Sequence, residues 1–165
     1  MNRKGQVFTT DSILALTVFI GVLAITLAYG ISMQNSIDRN EESYFLKEIA
    51  TASLNQLLYT PGTPANWETL ASPNDINSIG LANKRGILES AKVSRLVDLN
   101  SSYGDAKMLL GAGKYDVGIK IERLQNGQEL ASFGTFGGAG TTVVSGARTA
   151  HYNNENVLVR VMVSG

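Results

Sequence analysis

The side chains that most often carry out catalysis or bind metals are few in this sequence. Its 165 residues include no cysteine and one histidine, His151, so disulfides, thiolate metal sites and multi-histidine sites are excluded. The acidic residues that could pair, Asp105, Asp116, Glu122 and Glu129, match no catalytic spacing. We therefore expect no enzymatic activity, no cofactor and no metal site, and we expect His151 at a surface or a strand edge.

The most unusual arrangement of residue types lies at the N-terminus. Arg3 and Lys4 are followed by Gly5, by Asp11 and then by 26 residues, 12–37, without a charged side chain. As a helix, this run would be roughly 39 Å long, more than the roughly 30 Å hydrocarbon core of a bilayer. The two cations would hold the N-terminus on the cytoplasmic side and direct the remainder outward. The sequence predicts a single-pass membrane segment.

The fate of this segment depends on where a peptidase could cut. A secretory signal has a shorter apolar run of about 7–15 residues, followed by a small-residue cleavage site. Here the run is longer, and the conspicuous small residue, Gly5, precedes it. Cleavage at Gly5 would leave the apolar helix on the mature protein, whereas an uncut segment would be a permanent signal anchor.

A family resemblance is carried by Lys4-Gly5-Gln6, followed by a short polar stretch, an acid and an apolar helix. This order resembles the class III signal peptide of archaeal type IV pilin-like proteins. The resemblance implies that residues 1–5 are a leader, which a prepilin peptidase removes between Gly5 and Gln6. It also implies an assembly ATPase, a membrane platform and other pilin subunits as partners.

Asp11 takes the place of the acid that this family has near its mature N-terminus. The familiar residue is a glutamate at mature position five, whereas Asp11 would be position six and is one methylene shorter. A lone carboxylate beside an apolar span is costly to bury unless it is paired. In a filament it could pair with the new α-amino group of a neighbouring Gln6. The alternative is that Asp11 or Ser12 caps the helix.

The apolar run continues into an amphipathic pattern. Apolar residues at three- and four-residue spacings predict one helix over 8–58, roughly 75 Å long. Pro61 and Pro64 end it, because the residue before a proline disfavours helical geometry. We therefore divide the chain into a leader (1–5), a transmembrane and filament-core helix (6–59) and a head domain (60–165).

The first part of the head extends the family resemblance to about residue 121. The order and spacing of its segments, rather than any single motif, carry the likeness. These segments are Pro61-Gly62, Asn66-Trp67, Ile79-Gly80-Leu81-Ala82, Lys92-Val93, Leu96, Tyr103, residues 106–111 and Tyr115-Asp116-Val117. The likeness implies assembly at the cell surface rather than a chemical reaction.

Periodicity in the head predicts short helices followed by antiparallel strands. Helices are expected over 91–99 and 105–110, and strands over 115–122, 129–134, 142–152 and 157–163. Asn126-Gly127 indicates a hairpin turn within 125–128. The predicted fold class is α+β: a long N-terminal helix packed on a sheet of about four antiparallel strands. The resemblance identifies this layout with the lollipop shape of a type IV pilin.

Three features of the head each allow two interpretations. Trp67, the only tryptophan, is expected to pack over the helix end or in the core, with ligand stacking as the alternative. Asn100-Ser101-Ser102 is the only Asn-x-Ser/Thr sequence, so Asn100 would allow N-glycosylation on an exported domain, unless the tripeptide arose by chance. The Gly-rich segment 135–142 lacks the Lys-Thr/Ser ending of a phosphate loop and is interpreted as a flexible surface loop.

A net charge of zero gives no reason to expect a nucleic-acid partner. The resemblance implies a structural subunit, major or minor, of a type IV pilus-like surface filament, with the lipid bilayer holding the precursor. The alternative is an uncleaved, signal-anchored extracellular binding module. The sequence leaves open whether the apparatus would serve adhesion, secretion or DNA uptake.

Overall fold

The computed structural model of the chain describes the backbone of residues 3–138 and 141–165, and the side chains of residues 11–33, 41–138 and 141–165. The chain divides into two compact units, Met1–Glu42 and Ser43–Gly165. Helix α1 (Arg3–Tyr59) belongs to both units. Its residues 3–42 are the described part of the first unit, and its residues 43–59 are the first element of the second. The helix therefore begins at Arg3 rather than near residue 8, and it ends one residue later than predicted.

The first unit has an apolar surface. The segment Asp11–Met33 is 23 residues long and contains an 18-residue window with a mean hydropathy of 2.3, none of which is buried within the protein. Its length and composition are sufficient to cross a membrane, a property that N-terminal signal sequences share. The hydroxyls of Thr17 and Thr26 donate to the carbonyl oxygens of Ile13 and Val22 at 2.8 and 2.9 Å. These bonds satisfy two polar groups within the helix itself.

In the second unit, residues 43–59 of α1 bury one face. The residues on this face recur every three or four positions, as expected for an amphipathic helix. They are Leu46, Ile49, Ala50, Ser53, Leu54, Leu57 and Leu58. Fully burying one such leucine or isoleucine contributes about 1.5–3 kcal/mol, so packing stabilises this part of the helix more than local propensity does.

Two short helices follow within the second unit. Helix α2 (Ser90–Asp98) and helix α3 (Tyr103–Leu109) lie within one or two residues of their predicted bounds. Ser102 occupies the N-cap position of α3 but makes no side-chain capping bond. Gly111, with φ of +75°, ends α3: its N–H donates to the Met108 carbonyl and the next N–H donates to the Lys107 carbonyl.

The strands form one large and one small sheet. Their bounds are β1 (Gly62–Thr63), β2 (Ser78–Ile79), β3 (Ala82–Lys84), β4 (Ile87–Leu88), β5 (Asp116–Arg123), β6 (Glu129–Gly134), β7 (Val143–Tyr152) and β8 (Glu155–Ser164). Strands β1 and β2 pair alone, and the six-stranded sheet has the order β3-β4-β7-β8-β5-β6. The predicted sheet of about four antiparallel strands therefore covers β5 to β8. It missed β3 and β4, and β4 pairs with β7 in parallel.

Alternation along β5 and β8 supplies the core face of the large sheet. Val117, Ile119 and Ile121 on β5 are buried, and so are four valines on β8: Val157, Val159, Val161 and Val163. These side chains belong to the same hydrophobic cluster as the buried face of α1 and residues of α2 and α3. The second unit is thus an α+β domain, with helices on one face of an antiparallel-rich sheet.

The hairpin predicted at Asn126-Gly127 is present between the antiparallel strands β5 and β6. Its loop is longer than a two-residue turn, because the Arg123 N–H donates to the Gln128 carbonyl at 2.7 Å. Asn153 and Asn154 instead form the tight turn, because both have positive φ (49° and 64°) and the flanking residues Tyr152 and Glu155 pair directly. Positive φ at both central residues is typical of a type I′ turn.

Candidate functional site: the apolar helix and its single carboxylate

Asp11 lies on an apolar stripe of α1. It shares one face of the helix with side chains three, four, seven, eight and eleven positions later: Leu14, Ala15, Val18, Phe19 and Val22. Asp11 is also the only charged residue between positions 11 and 33. The segment Asp11–Met33 therefore has one carboxylate at its N-terminal end and is otherwise uncharged.

The apolar side chains around Asp11 are exposed on every face of the helix. Thirteen large apolar or aromatic residues between positions 11 and 33 are exposed, with Leu14 at 67% and Phe19 at 63%. Burying such a side chain is worth about 1.5–3 kcal/mol, so even partial burial of all thirteen involves well over 10 kcal/mol. This is comparable with the whole stability of a domain, about 5–15 kcal/mol. The exposed surface of this segment is therefore suited to a lipid or protein environment.

A carboxylate in such an environment needs a cation. Transfer of an unpaired charge into an apolar medium is costly, and the charge is retained only where a partner or water reaches it. Within the described side chains of residues 11–33 there is no cation to serve as this partner. The partner of Asp11 must come from the medium, from another part of the chain or from another molecule.

The structure rules out one of the two roles considered for Asp11. Because α1 begins at Arg3, Asp11 and Ser12 lie inside the helix and cannot be its N-cap. The other role, pairing between subunits, stays a prediction. Gly5 and Gln6 lie in the first turns of the α1 backbone, and the side chain of Gln6 lies outside the described residues.

Three of the four acidic residues considered in the sequence, Asp116, Glu122 and Glu129, lie beside cations rather than beside one another. Asp116 lies 3.4 Å from the Lys107 ammonium and accepts a bond from the Tyr103 hydroxyl at 3.2 Å. Glu122 lies 3.6 Å from Arg160. Among the described residues, no three histidine or acidic side chains are grouped as metal ligands.

Glu129 illustrates the effect of such pairing. A hydrogen bond from Ser132, and then a hydrogen bond and the charge of Lys120, lower the pKa of the Glu129 carboxyl below its usual range. The Lys120 ammonium lies 3.2 Å from the carboxylate. These contacts stabilise the ionised form, which suits a surface ion pair and not a general acid.

Three other residues from the sequence analysis have defined environments. His151 is exposed on β7, 3.3 Å from the Asn156 side-chain oxygen. Trp67 is fully buried and its indole N–H donates to the Gly80 carbonyl at 2.8 Å, which confirms the packing interpretation and leaves no face for a ligand. Asn100 is exposed, and its side-chain oxygen accepts a bond from the Gly134 N–H at 2.8 Å.

The sequence analysis missed a cationic and aromatic cluster on the second unit. The guanidinium carbons of Arg85 and Arg148 lie 4.8 and 5.9 Å from the centre of the Tyr59 ring, and Arg148 donates to the Tyr59 hydroxyl at 3.2 Å. We call these three residues the Tyr59 cluster. They are far apart in sequence, so no local motif could have revealed them.

Comparison with known proteins adds no assignment: no protein-family model, no curated protein and no solved structure matches the chain.

Proposed function

We propose that this chain is the precursor of a structural subunit, major or minor, of an archaeal type IV pilus-like surface filament. One observation carries the proposal: an uncharged, exposed helical segment, with a single carboxylate at one end, belongs to the same helix whose later residues are buried in an α+β unit. A protein that functions alone in water would not keep Asp11–Met33 exposed.

Both environments proposed for this helix are apolar. In the precursor the bilayer covers residues 11–33, with Arg3 and Lys4 on the cytoplasmic side and the second unit outside. In the filament, neighbouring copies of the same helix replace the lipid. This exchange is nearly neutral in hydrophobic free energy, because lipid tails are as apolar as leucine. Packing between the helices must therefore favour the filament over the bilayer. The proposed assembly ATPase and membrane platform supply the energy that moves each subunit from the bilayer into the filament.

Asp11 sets the register of the proposed filament. Removal of residues 1–5 by the prepilin peptidase creates an α-amino group on Gln6. The α-amino group is a cation, and no side chain described in residues 11–33 supplies a cation to the Asp11 carboxylate. Pairing between subunits would satisfy both charges and fix how far one helix slides along the next. The resemblance at Lys4-Gly5-Gln6 supports this proposal.

The second candidate is an uncleaved signal anchor that holds an extracellular binding module. The Tyr59 cluster favours it, since two guanidinium groups beside one exposed ring suit recognition of an anionic partner. The two candidates differ in whether the N-terminus is processed.

The decisive measurement is the intact mass and first residue of the protein purified from its native membrane or sheared surface fraction. A chain that begins at Gln6, or at its pyroglutamate, supports the filament precursor. Gly5→Val should block this cleavage, whereas Gly21→Val, at a position where an added Cβ meets nothing within 4 Å, should not. A chain that keeps Met1 or Asn2 in a processing-competent cell would overturn the filament proposal and favour the anchor.

A further inference from the structure

Strand β7 has an open edge in the large sheet. On one side it pairs with β8 over its whole length, from Val143 opposite Ser164 to Tyr152 opposite Glu155. On the other side it pairs with β4 at one position only, where His151 lies opposite Ile87. Residues 143–149 therefore have no neighbouring strand on that side within the described part of the chain. We call this segment the β7 edge.

The backbone groups of the β7 edge point outward at alternate positions. The His151 N–H donates towards β4, to the Gly86 carbonyl at 2.8 Å. Because every second residue of an antiparallel strand directs its N–H and C=O to the same side, four residues share this direction. They are Val143, Ser145, Ala147 and Thr149. They present a row of donors and acceptors of the kind that an added strand would pair with.

The β7 edge lacks most of the usual protection of edge strands. Proteins blunt exposed edges with charged side chains, proline, bulges or very short strands. The β7 edge has one charged residue, Arg148, whose guanidinium bonds the Tyr59 hydroxyl; it has no proline, and its register with β8 is unbroken. At the far end of the sheet, β6 has six residues, its pairing with β5 contains a register shift, and its last N–H is bonded to Asn100. Of these two edges, only the β7 edge is therefore suited to pairing with another strand.

The Tyr59 cluster lies at the end of the β7 edge that approaches β4. Arg148 belongs to the edge itself and stands opposite Val159 on β8, so it has no ionic partner across that pair. Arg85 precedes Gly86, whose carbonyl bonds His151. Both arginines are exposed, and among the described residues neither has a carboxylate within 4.0 Å, in contrast to Lys107, Lys120, Arg123 and Arg160. Two cations on one ring favour an anionic neighbour.

We propose that the β7 edge binds an extended, carboxylate-bearing segment of another polypeptide by strand addition. Main-chain hydrogen bonds to the four outward residues supply affinity. A carboxylate on the added strand, beside Arg148 and Arg85, supplies specificity, because opposite charges attract across neighbouring strands. The inference depends on residues of the second unit alone, so it holds whether or not the chain is cleaved at Gly5 or assembles into filaments.

The test uses the detergent-solubilised full chain and two synthetic peptides of alternating threonine and valine, matched in length to the β7 edge. One peptide carries glutamate at each end, and its twin carries lysine. Binding is measured by fluorescence anisotropy, and hydrogen exchange is followed at the amides of Val143, Ser145, Ala147 and Thr149. We expect the glutamate peptide to bind at least about fivefold more tightly than the lysine peptide and to slow exchange at these amides.

Two variants separate the backbone contribution from the charge. Arg148→Glu should abolish the preference, because the new carboxylate offsets the charge of the remaining Arg85. Ala147→Pro removes one outward N–H, which an edge strand tolerates, and should weaken both peptides. Ala147→Ser keeps that N–H and should bind as the parent does. The β8 amides should remain protected in every variant, which shows that the sheet is intact.

Three outcomes would overturn the proposal. Slow exchange at the four amides in the free chain at every protein concentration would mean that the edge is already covered. Protection that increases with protein concentration alone would identify a second copy as the occupant. Equal binding of the two peptides would show that the site does not select for charge. Binding of neither peptide would show that the β7 edge is not a binding site.

Discussion

The Ser53 hydroxyl donates to the carbonyl oxygen of Leu110 at 2.9 Å, and both residues are buried. This bond joins α1 to the residue that follows α3. Ser53→Ala leaves the carbonyl without that donor, so we expect the free energy of unfolding to decrease by about 1–3 kcal/mol. Thr51→Ala is the control, because the Thr51 hydroxyl is exposed and bonds within its own helix; its effect should stay within about 0.5 kcal/mol. Denaturant unfolding in detergent measures both, and equal effects would contradict the assignment.

Gly62 and Gly86 form a second matched pair. Both have positive φ, +87° and +77°, which costs a non-glycine residue about 1–2 kcal/mol. Only at Gly62 would a Cβ also collide, 2.7 Å from the Trp67 indole nitrogen and 2.9 Å from the Gly80 nitrogen. Gly62→Ala should therefore destabilise the second unit by about 3 kcal/mol or more and shift Trp67 emission to the red, whereas Gly86→Ala should show only the backbone cost. Similar losses in the two variants would show that the indole can move aside.

The parts of the fold that were predictable from the sequence have a long, regular period. Apolar and polar residues alternate over several residue pairs along β5, and buried residues recur over several turns of α1. The bounds of β6 were also predicted. Strands β1 to β4 have two or three residues each, so no alternation can develop within them. Contacts from distant elements define these strands, as the bond from the Leu81 N–H to the Leu57 carbonyl illustrates.

The turns show how much a local motif determines. Asn126-Gly127 correctly indicates the place of the hairpin between β5 and β6, yet the loop there is longer than two residues, whereas Asn153-Asn154 forms a two-residue turn between β7 and β8. The candidate sites divide in the same way. Asp11 and the apolar span are visible in the sequence, because neighbouring residues compose them. The Tyr59 cluster and the β7 edge depend on which strands lie side by side, and this information is spread over about 90 residues between Tyr59 and Arg148.

Glu129 should contribute a pH-dependent stability. Its pKa is lowered in the folded chain by Ser132 and Lys120, so this contribution is present above the ordinary pKa of a glutamate and is lost as the pH falls through the folded pKa. Glu129→Gln should therefore lower the melting temperature slightly near pH 7, and this effect should diminish as the pH falls below the ordinary pKa of a glutamate. Lys120→Met should remove only part of the same difference, because the hydrogen bond from Ser132, the largest cause of the lowered pKa, remains. The difference in melting temperature between the parent and Glu129→Gln should therefore be smaller at low pH than near pH 7. An equal difference at both pH values would contradict this origin.

Glycosylation at Asn100 is testable without disturbing its hydrogen bond to Gly134. Ser102→Ala destroys the Asn-x-Ser/Thr sequence, whereas Ser101→Ala preserves it. If the native host attaches a glycan to Asn100, the Ser102→Ala protein should lose the glycan mass and the Ser101→Ala protein should retain it. Intact mass measurement separates the two. If Asn100 is unmodified, both variants should be lighter than the parent by the mass of one oxygen atom and by nothing more.

Asp11 provides the most direct test of the proposed assembly. In the filament its carboxylate pairs with the α-amino group of a neighbouring Gln6, whereas insertion into the bilayer depends on the apolar residues that follow. Asp11→Ala should therefore abolish or shorten filaments in the sheared surface fraction, seen by electron microscopy, while the protein still resists extraction from membranes at high pH. Asp11→Glu should restore part of the assembly, because it keeps the charge, and Ser12→Ala should assemble as the parent does. Filaments of normal length from Asp11→Ala would remove the residue from the proposed site, and loss of membrane insertion would mean that Asp11 acts before assembly.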